Sequence, residues 1–234
     1  MDLPDWVGPV ARYMLEEGFV GTLRIAVIAL SGSLLVGITL GTLLTIKFLP
    51  LRAAIRLYIE VWRGLPILVT IFIIFFVVLP RLRGQLQFYS PLVNDPLYAA
   101  GIGLTLWGSA QVAEATRGAV QSIPLEQHEA ASALGFGWVG RHAFVIMPQA
   151  LRRLLPPLVS LLVNILQNTT IAQVIGANEL LASGQRQNER LLAPPPIGDG
   201  HIHSFEIFGA VMVVFFLISF PLTRVAAYLE RRLV

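Results

Sequence analysis

The sequence predicts an all-α membrane protein with about five transmembrane helices and a helical hairpin on the cytoplasmic side. Of its 234 residues, 55% are hydrophobic and only 13% are charged, which is about half the charged fraction of a soluble domain. The mean hydropathy is +0.70, and the apolar residues form long runs, as helices in a bilayer require. One segment between these runs, Glu129–Pro148, is too polar and too rich in glycine to span a membrane.

Five segments have the ~20 predominantly apolar residues of a transmembrane helix. They are expected at about Val20–Phe48, Ile55–Leu79, Leu97–Val120, Leu151–Ile175 and Phe205–Tyr228. The whole chain, residues 1–234, is expected to form a single transmembrane domain.

The start of the sequence, MDLPDW, is acidic where a signal peptide is basic, so the first span is expected to be retained. The lack of cysteine excludes disulfides, thiolate metal sites and a cysteine nucleophile.

The distribution of charge predicts the orientation of the chain. With the N-terminus outside, the cytoplasm receives mostly basic residues: Lys47, Arg52, Arg56, Arg117, Arg141, Arg152, Arg153, Arg224, Arg231 and Arg232. The outside then receives mostly acidic residues: Asp2, Asp5, Glu16, Glu17, Asp95, Glu179, Glu189 and Asp199. This arrangement obeys the positive-inside rule, and the reverse violates it. Because basic residues mark cytoplasmic loops in such proteins, the net charge of +3 gives no support to nucleic-acid binding.

The first predicted span contains small residues at every fourth position, namely Ala29, Ser33, Gly37 and Gly41. Such a stripe allows another helix to approach closely, which is a main source of helix association in lipid. The partner helix is expected in the same subunit, and a seam between two subunits is the alternative.

A short repeat links the second and third spans. EVWRG contains Glu60 and Arg63, EATRG contains Glu114 and Arg117, and each pair is spaced to share one helix face. Ionised residues in a membrane usually pair or face water. The two pairs therefore either neutralise themselves near the headgroups or line a polar pathway. Gly64 and Pro66 follow the first pair and are expected to bend span two.

Uncharged polar residues in spans three and four are further candidates for a substrate pathway. Trp107, Ser109 and Gln111 lie in span three, although such a tryptophan is more often a packing residue. In span four the candidates are Asn164, Gln167, Asn168 and Thr169. Each amide needs a partner in hydrocarbon, so these residues form either interhelical hydrogen bonds or a wet wall that contacts substrate.

The polar interruption between spans three and four predicts a helical hairpin over about residues 122–148. Ser122 and Pro124 are typical of a helix start, and Gly135 is typical of a helix stop. The intervening helix, LEQHEAASAL, is too short to cross a membrane. A second short helix, WVGRHAFVIMP, leads back into the bilayer. The hairpin either rests on lipid as an interfacial helix or docks in the groove of a partner protein.

The hairpin resembles the EAA–G–I-x-L-P signature of the permease subunits of binding-protein-dependent ABC importers. The matching residues are Glu129-Ala130-Ala131, then Gly135, then Val145-Ile146-Met147-Pro148, with Val145 and Met147 as conservative departures. YIEVWRGLPILV, LTLWGSAQVAEATRGAVQSIP and LQNTTIAQVIGANELL are similar to segments of the polar amino-acid (histidine/glutamine/arginine-type) branch. The resemblance extends over about Thr22–Arg224.

Two departures from that branch concern the substrate. The usual Lys-Asp pair is Gln167-Asn168, and the usual Asn and Tyr of the third span are Trp107 and Gln111. If the family's aspartate holds an ammonium group, Asn168 binds it more weakly. The resemblance then implies either a different substrate preference or a partner permease that holds the ligand.

The resemblance implies the fold of a type I ABC importer permease, in a bacterial inner membrane. Its implied partners are a cytoplasmic ABC ATPase dimer, a second permease subunit (identical or homologous), an extracytoplasmic binding protein and an amino-acid substrate. The residues implied to couple to the ATPase are Glu126, Glu129, Ala130, Ala131, Ala133, Gly135 and Pro148. The chain lacks a Gly-x-x-x-x-Gly-Lys-Ser/Thr loop, so ATP and magnesium are expected in the partner, and no cofactor in this chain.

Two other functions remain open from the residues alone. A stand-alone carrier or channel would use Glu60, Arg63, Glu114 and Arg117 as an ion path, although such carriers usually contain inverted repeats. A membrane enzyme would need a metal-ligand cluster or a serine next to a base, and neither stands out. His201 and His203 in the last loop are weak candidates for a metal, because two loop histidines are usually solvated.

Overall fold

The structure is a computed structural model that describes residues 4–46, 48–83 and 95–233. Asp2 and Lys47 of the predicted charge distribution lie outside the described residues, as does most of the predicted second connection (84–94). The helices are α1 (Val7–Leu43), α2 (Leu49–Gly64), α3 (Ile67–Leu82), α4 (Pro96–Gln121), α5 (Leu125–Ala133), α6 (Trp138–Ile175), α7 (Leu180–Leu192) and α8 (Ser204–Leu233). The prediction of an all-α membrane protein is confirmed.

Three of these helices are long and apolar enough to cross a membrane by length and composition: α1, α6 and α8. They contain 37, 38 and 29 residues, the last counted to Arg232. A fourth span results if α2 and α3 cross together, since they are separated only by Leu65 and Pro66. This break lies where the GLP sequence predicted a bend, because proline removes a helical hydrogen bond. The predicted third span coincides with α4, a helix of 26 residues.

The ends of α1 and α2 differ from the prediction. Helix α1 begins at Val7 rather than about Val20, because Val10 and Met14 are buried one turn apart. It ends at Leu43, where the Thr45 hydroxyl donates to the Thr42 carbonyl and the chain turns. The segment KFLPLRAAIR was predicted as a connection, but most of it forms the first turns of α2. Proline is tolerated in a first helical turn, where its missing N–H has no partner to lose.

The predicted short helix 138–148 and the predicted span 151–175 form one continuous helix, α6. Its first turns include a π-helical segment, Arg141–Ile146, directly before Met147 and Pro148. Single π turns inside α-helices change the local hydrogen-bonding register, and the helix continues past this proline. Pro156 and Pro157 also lie inside it.

The connection between the predicted fourth and fifth spans contains helix α7. Its 13 residues extend ~20 Å, too short for a membrane span. The Glu179 carboxylate accepts hydrogen bonds from the amides of Leu181 and Ala182 and caps its N-terminus. Leu180, Gln187 and Leu191 of α7 are buried, a helical spacing that is hidden among the polar residues of this segment.

The described residues form two compact units. The first consists of those in Met1–Ala29, Ile67–Leu104 and Ile165–Phe220, and the second of those in Leu30–Pro66, Thr105–Asn164 and Pro221–Val234. A core of the first unit contains Val10, Met14, Leu180, Leu191, Ile207 and Val211. The second unit has one cluster around Ile123, Ile146 and Leu154 and another around Leu44, Ile55 and Ile59.

The small-residue stripe of α1 packs against α4 inside the second unit. A Cβ atom built on Gly37 would lie 2.5 Å from the Val112 Cβ, and one on Gly41 would lie 2.5 Å from the Ala113 carbonyl oxygen. Ser33 is also fully buried. At these positions the small residues pack against another helix of the same subunit. This was the first of the two predicted alternatives, the other being a seam between two subunits.

Candidate functional site

The hairpin of residues 122–148 consists of α5, a glycine turn and the first turns of α6. Pro124 is extended, α5 spans nine residues, and Gly135 adopts φ +84°. The amide of Phe136 donates to the Ala131 carbonyl (3.1 Å), which closes the helix end around Gly135. A glycine is required here because the left-handed region penalises any side chain. The helix stop predicted at Gly135 is therefore present.

Most of the predicted coupling residues of the hairpin are exposed. Glu126, Glu129, Ala130, Ala133, Gly135 and Pro148 all face solvent. Ala131 is the exception, since only 2% of its surface is exposed. Helix α5 buries this residue against the start of α6, unlike Ala130 and Ala133.

Sequence reasoning missed four exposed apolar side chains on the hairpin. Leu134 (78%), Phe144 (73%), Val139 (71%) and Leu125 (66%) have large exposed fractions. Several large apolar side chains exposed on one short hairpin favour contact with another protein or with lipid. In the sequence these four residues stand out only by their positions on either side of Gly135. Their exposure depends on how α5 packs, which the sequence does not show.

The hairpin is fastened to the second unit at its base. The Arg153 guanidinium donates to the Ser122 carbonyl oxygen and, at 3.0 Å, to its hydroxyl. Ile123 and Ile146 pack with Ala150 and Leu154 in one apolar cluster. These contacts place α5 on a rigid support rather than on a loose loop.

A second candidate site is the charged cleft, which we define by Arg56, Glu60, Arg63, Glu114 and Arg117. Leu44 and Ile59 complete its lining, and its volume is about 340 Å³. It therefore brings together all four charged residues of the predicted repeat, from α2 and α4. Arg56 was not predicted, although it lies one helical turn before Glu60 on the same face.

The pairing inside the charged cleft is unequal. Glu114 accepts two hydrogen bonds from Arg117, at 2.9 Å and 2.6 Å. Arg63 reaches Glu114 only at 4.0 Å. Glu114 and Arg117 of α4 thus form the ion pair within one helix that the repeat predicted. Arg63 of α2 instead lies near Glu114 of α4. With three arginines and two glutamates, the cleft has an excess of one positive charge and can bind an ionic or strongly polar molecule.

The other candidates of span three do not line this cleft. Ser109 is fully buried, and its hydroxyl donates to the Leu106 carbonyl at 3.0 Å. It therefore accepts from the Tyr58 hydroxyl, at 2.7 Å, and this bond ties α2 to α4. In this structure Ser109 is thus enclosed between α2 and α4, and its place in a substrate pathway stays a prediction. Trp107 and Gln111 are half-buried.

The polar residues of α6 that were predicted to contact substrate differ in how far they are buried. Asn164 and Gln167 are exposed, and Asn168 is half-buried. The Gln167 side chain donates to the Ser219 hydroxyl at 3.3 Å, an interhelical bond of the expected kind. Thr169 is fully buried, and its hydroxyl donates to the Leu166 carbonyl at 2.7 Å. Thr169 is thus enclosed in this structure, and its contact with a substrate stays a prediction. Gly64 and Pro66 are exposed at the break after α2.

The loop before α8 is ordered by Asp199. Its carboxylate accepts from the His201 amide at 2.9 Å and lies 2.8 Å from His203 Nε2. These hydrogen bonds, with that of the His201 amide as the main cause, hold the pKa of Asp199 below its usual range. The His203 ring also contacts the Trp6 ring, with centroids 4.2 Å apart. The two histidines thus serve the structure of the loop.

Comparison with known proteins gives consistent matches over nearly the whole chain. The family model described as the binding-protein-dependent transport system inner membrane component matches residues 33–234. The probable glutamine ABC transporter permease protein GlnP of Bacillus subtilis (strain 168) is 33% identical over 231 residues, which cover 97% of this chain and 99% of that protein. The glutamine transport system permease protein GlnP of Escherichia coli (strain K12) is 35% identical over 220 residues, which cover 94% and 93%.

Solved structures share the fold. The crystal structure of an amino acid ABC transporter with histidines aligns with a TM-score of 0.76 at 24% identity, over 99% of this chain and 100% of that chain. The inward-facing MetNI methionine ABC transporter aligns with the same TM-score of 0.76 at 17% identity, again over 99% and 100%. The fold of an ABC importer permease is thus confirmed, as is the resemblance to the polar amino-acid permeases. The chain belongs to the family of binding-protein-dependent transport system inner membrane components, and it is a multi-pass membrane permease of the ABC importer type.

Proposed function

We propose that this chain is the membrane-spanning subunit of an ATP-driven importer of polar amino acids and that it couples to a separate ATPase through its hairpin. The observation that carries this proposal is the set of exposed apolar side chains on a hairpin that is braced at its base, namely Leu125, Leu134, Val139 and Phe144. In a family whose members depend on a binding protein, such a surface is best explained by a protein partner.

The partners follow from the family and from the orientation of the chain. With the N-terminus outside and the C-terminus in the cytoplasm, the hairpin is cytoplasmic and meets an ATPase dimer that holds ATP and magnesium. A second permease subunit, identical or homologous, completes the membrane part. The connection of residues 176–203 lies outside, where it is available to an extracytoplasmic binding protein. The chain itself carries out no catalysis in this scheme.

The substrate is proposed to be a polar amino acid. The relatives named above carry glutamine in their names, and a glutamate/aspartate import permease of Escherichia coli (strain K12) is 29% identical over 92% of this chain. The charged cleft suits a zwitterion, because Glu60 can attract an ammonium group while Arg63 can bind a carboxylate. Gln167 and Asn168 supply uncharged hydrogen-bonding groups on α6.

The proposed mechanism is alternating access driven by the ATPase. Closure of the ATPase dimer on ATP moves the hairpin, and the bracing by Arg153 and Ser122 transmits this movement to the transmembrane helices. Packed interfaces switch between discrete arrangements rather than deform gradually. The polar pathway then opens to one side of the membrane at a time.

Reconstitution tests the proposal. The chain, purified from native membranes with its attached polypeptides, should take up a polar amino acid into proteoliposomes only with ATP and a binding protein. The chain alone should give no uptake. Uptake by the chain alone, abolished by Glu114→Gln, would instead support a stand-alone carrier that uses the charged cleft.

A further inference from the structure

Two side-chain contacts join the end of α1 to the first turns of α6. The Thr45 hydroxyl lies 2.9 Å from His142 Nε2. One helical turn earlier, the Thr42 hydroxyl lies 3.6 Å from the sulfur of Met147. All four residues belong to the second unit. These contacts therefore bridge segments that are about a hundred residues apart in the sequence.

His142 is held in one orientation by its surroundings. Only 4% of its surface is exposed. Its ring stacks on Trp138, with centroids 4.3 Å apart. Its Nδ1 lies 2.9 Å from the Trp138 carbonyl oxygen. Because a carbonyl can only accept, Nδ1 carries the hydrogen, and in the neutral ring Nε2 is an acceptor. The single hydrogen of the Thr45 hydroxyl is then shared between two acceptors, His142 Nε2 at 2.9 Å and the Thr42 carbonyl oxygen at 2.7 Å.

The same first turn of α6 also holds α5. Arg141 donates to the Ser132 hydroxyl at 2.9 Å, and Ser132 in turn donates to the His128 carbonyl at 2.8 Å. Helix α5 therefore connects through Arg141 to the turn that contains His142, and His142 connects that turn to α1. Hydrogen bonds, together with the backbone between Arg141 and His142, thus link α5 to Thr45, two residues beyond the end of α1.

We propose that His142 is a positioning residue that clasps the hairpin to the C-terminal end of α1, so that a displacement of the hairpin moves α1. This inference rests on the proposed coupling to an ATPase. His142 falls in the nine-residue interval between Gly135 and Val145, which the signature of the hairpin leaves unspecified. The clasp is thus a feature of this chain's own residues rather than of the motif.

The test uses the complete importer with its ATPase and binding protein in proteoliposomes. The quantity measured is the ratio of substrate transported to ATP hydrolysed. Thr45→Val removes the hydroxyl at nearly constant shape, and His142→Phe keeps an aromatic ring on Trp138 but loses both ring nitrogens. Each change should lower the ratio about two- to tenfold, the range expected for one hydrogen bond. The ATPase should still co-purify.

Rescue and control variants separate positioning from a merely structural role. Thr45→Ser and His142→Gln retain groups that can form the bond, so both should keep the ratio of the wild type. The loss in the double variant should be smaller than the two single losses combined, because both changes remove the bond between Thr45 and His142. Thr39→Val is the matched control: its hydroxyl donates to the Leu35 carbonyl at 2.7 Å on an exposed face of α1. It should leave the ratio unchanged.

An unchanged ratio in Thr45→Val would overturn the clasp, and this variant decides alone if His142→Phe fails to assemble. An equal loss in Thr39→Val would also overturn it, because the loss would then be unspecific. The proposed function fails in a different way: wild-type protein that neither retains an ATPase nor hydrolyses ATP during transport contradicts the coupling itself.

Discussion

At the residue scale, Glu179 combines complete burial with a structural task. Its side chain has no exposed surface, yet its carboxylate caps α7 by accepting from the amides of Leu181 (2.9 Å) and Ala182 (2.7 Å). Burial raises the pKa of Glu179 to about 7, because removing water disfavours the charged form more than the two amides favour it.

The raised pKa predicts how stability depends on pH. In the unfolded chain Glu179 loses its proton near pH 4.5, whereas the folded chain keeps it up to about pH 7. Between these values the folded state binds more protons, so the free energy of unfolding falls as pH rises, by about 3 kcal/mol in total. Unfolding of the detergent-solubilised protein between pH 5 and pH 8 measures this. Glu179→Gln should remove this part of the slope, and an identical slope in both proteins would contradict the assignment.

Gly135 carries the sharpest prediction for the hairpin. Its φ of +84° disfavours any side chain, although a Cβ there would meet no atom within 4 Å. Gly135→Val should therefore cost about 1–2 kcal/mol of local strain and uncouple ATP hydrolysis from uptake, while membrane insertion persists. Gly137→Val is the control, because Gly137 has an ordinary φ of −67° and equally open space. Normal uptake in the Gly135 variant, or equal damage in both, would argue against the hairpin's role.

Residue types alone predicted some roles and missed others. Gly135 was identified because a glycine after a short helix has one common use, the left-handed helix end. Ala131, Ser109 and Thr169 were placed on functional surfaces, but each is buried. Their exposure depends on which face of the helix a distant segment covers, and that information is absent from local sequence.

At the element scale, the close contact of α1 with α4 depends on glycines without side chains. A Cβ on Gly41 would lie 2.5 Å from the Ala113 carbonyl oxygen and 2.6 Å from the Thr116 Cβ. The backbone atom in this set cannot rotate away, so the two helices would have to separate. In lipid, such close packing supplies much of the association between helices.

Gly41→Ala is therefore predicted to lower the free energy of unfolding by about 1–3 kcal/mol, the usual cost of overpacking. Thermal unfolding of the detergent-solubilised protein measures the loss. Gly118→Ala on α4 is the matched control, since a Cβ there meets nothing within 4 Å; it should be neutral or slightly stabilising because alanine favours helix. Equal melting temperatures for both variants would show that the α1–α4 contact is not tight.

The runs of apolar residues located some helices better than others. The bounds of α4 and α8 lie close to the predicted spans, because a membrane demands long apolar runs. In contrast, α1 and α6 begin well before the predicted spans, at Val7 and Trp138. Helices α2 and α7 each have one buried face and one polar face. Their polar residues lower the mean hydropathy, so these segments were predicted at least in part as connections between spans. The break between α2 and α3 was predictable from Pro66 alone.

At the scale of the whole molecule, the fold and the family could be predicted from the chain itself. Composition gave the class, and the twenty-residue hairpin signature gave the family, since it fixes residue types at fixed spacing. The charged cleft could be predicted only in part. Glu60, Arg63, Glu114 and Arg117 were grouped by their repeat, but their unequal pairing depends on the packing of α2 against α4.

The central claim is that a separate ATPase receives the hairpin, and site-directed crosslinking tests it most directly. The chain contains no cysteine, so Val139→Cys, at an exposed position of the hairpin, gives the purified importer a single attachment point within this chain for a photoactivatable maleimide. Glu189→Cys on α7 is the control. The account predicts a covalent adduct between position 139 and the ATPase and none from position 189. Adducts of position 139 with lipid alone, or an ATPase adduct from position 189, would contradict it.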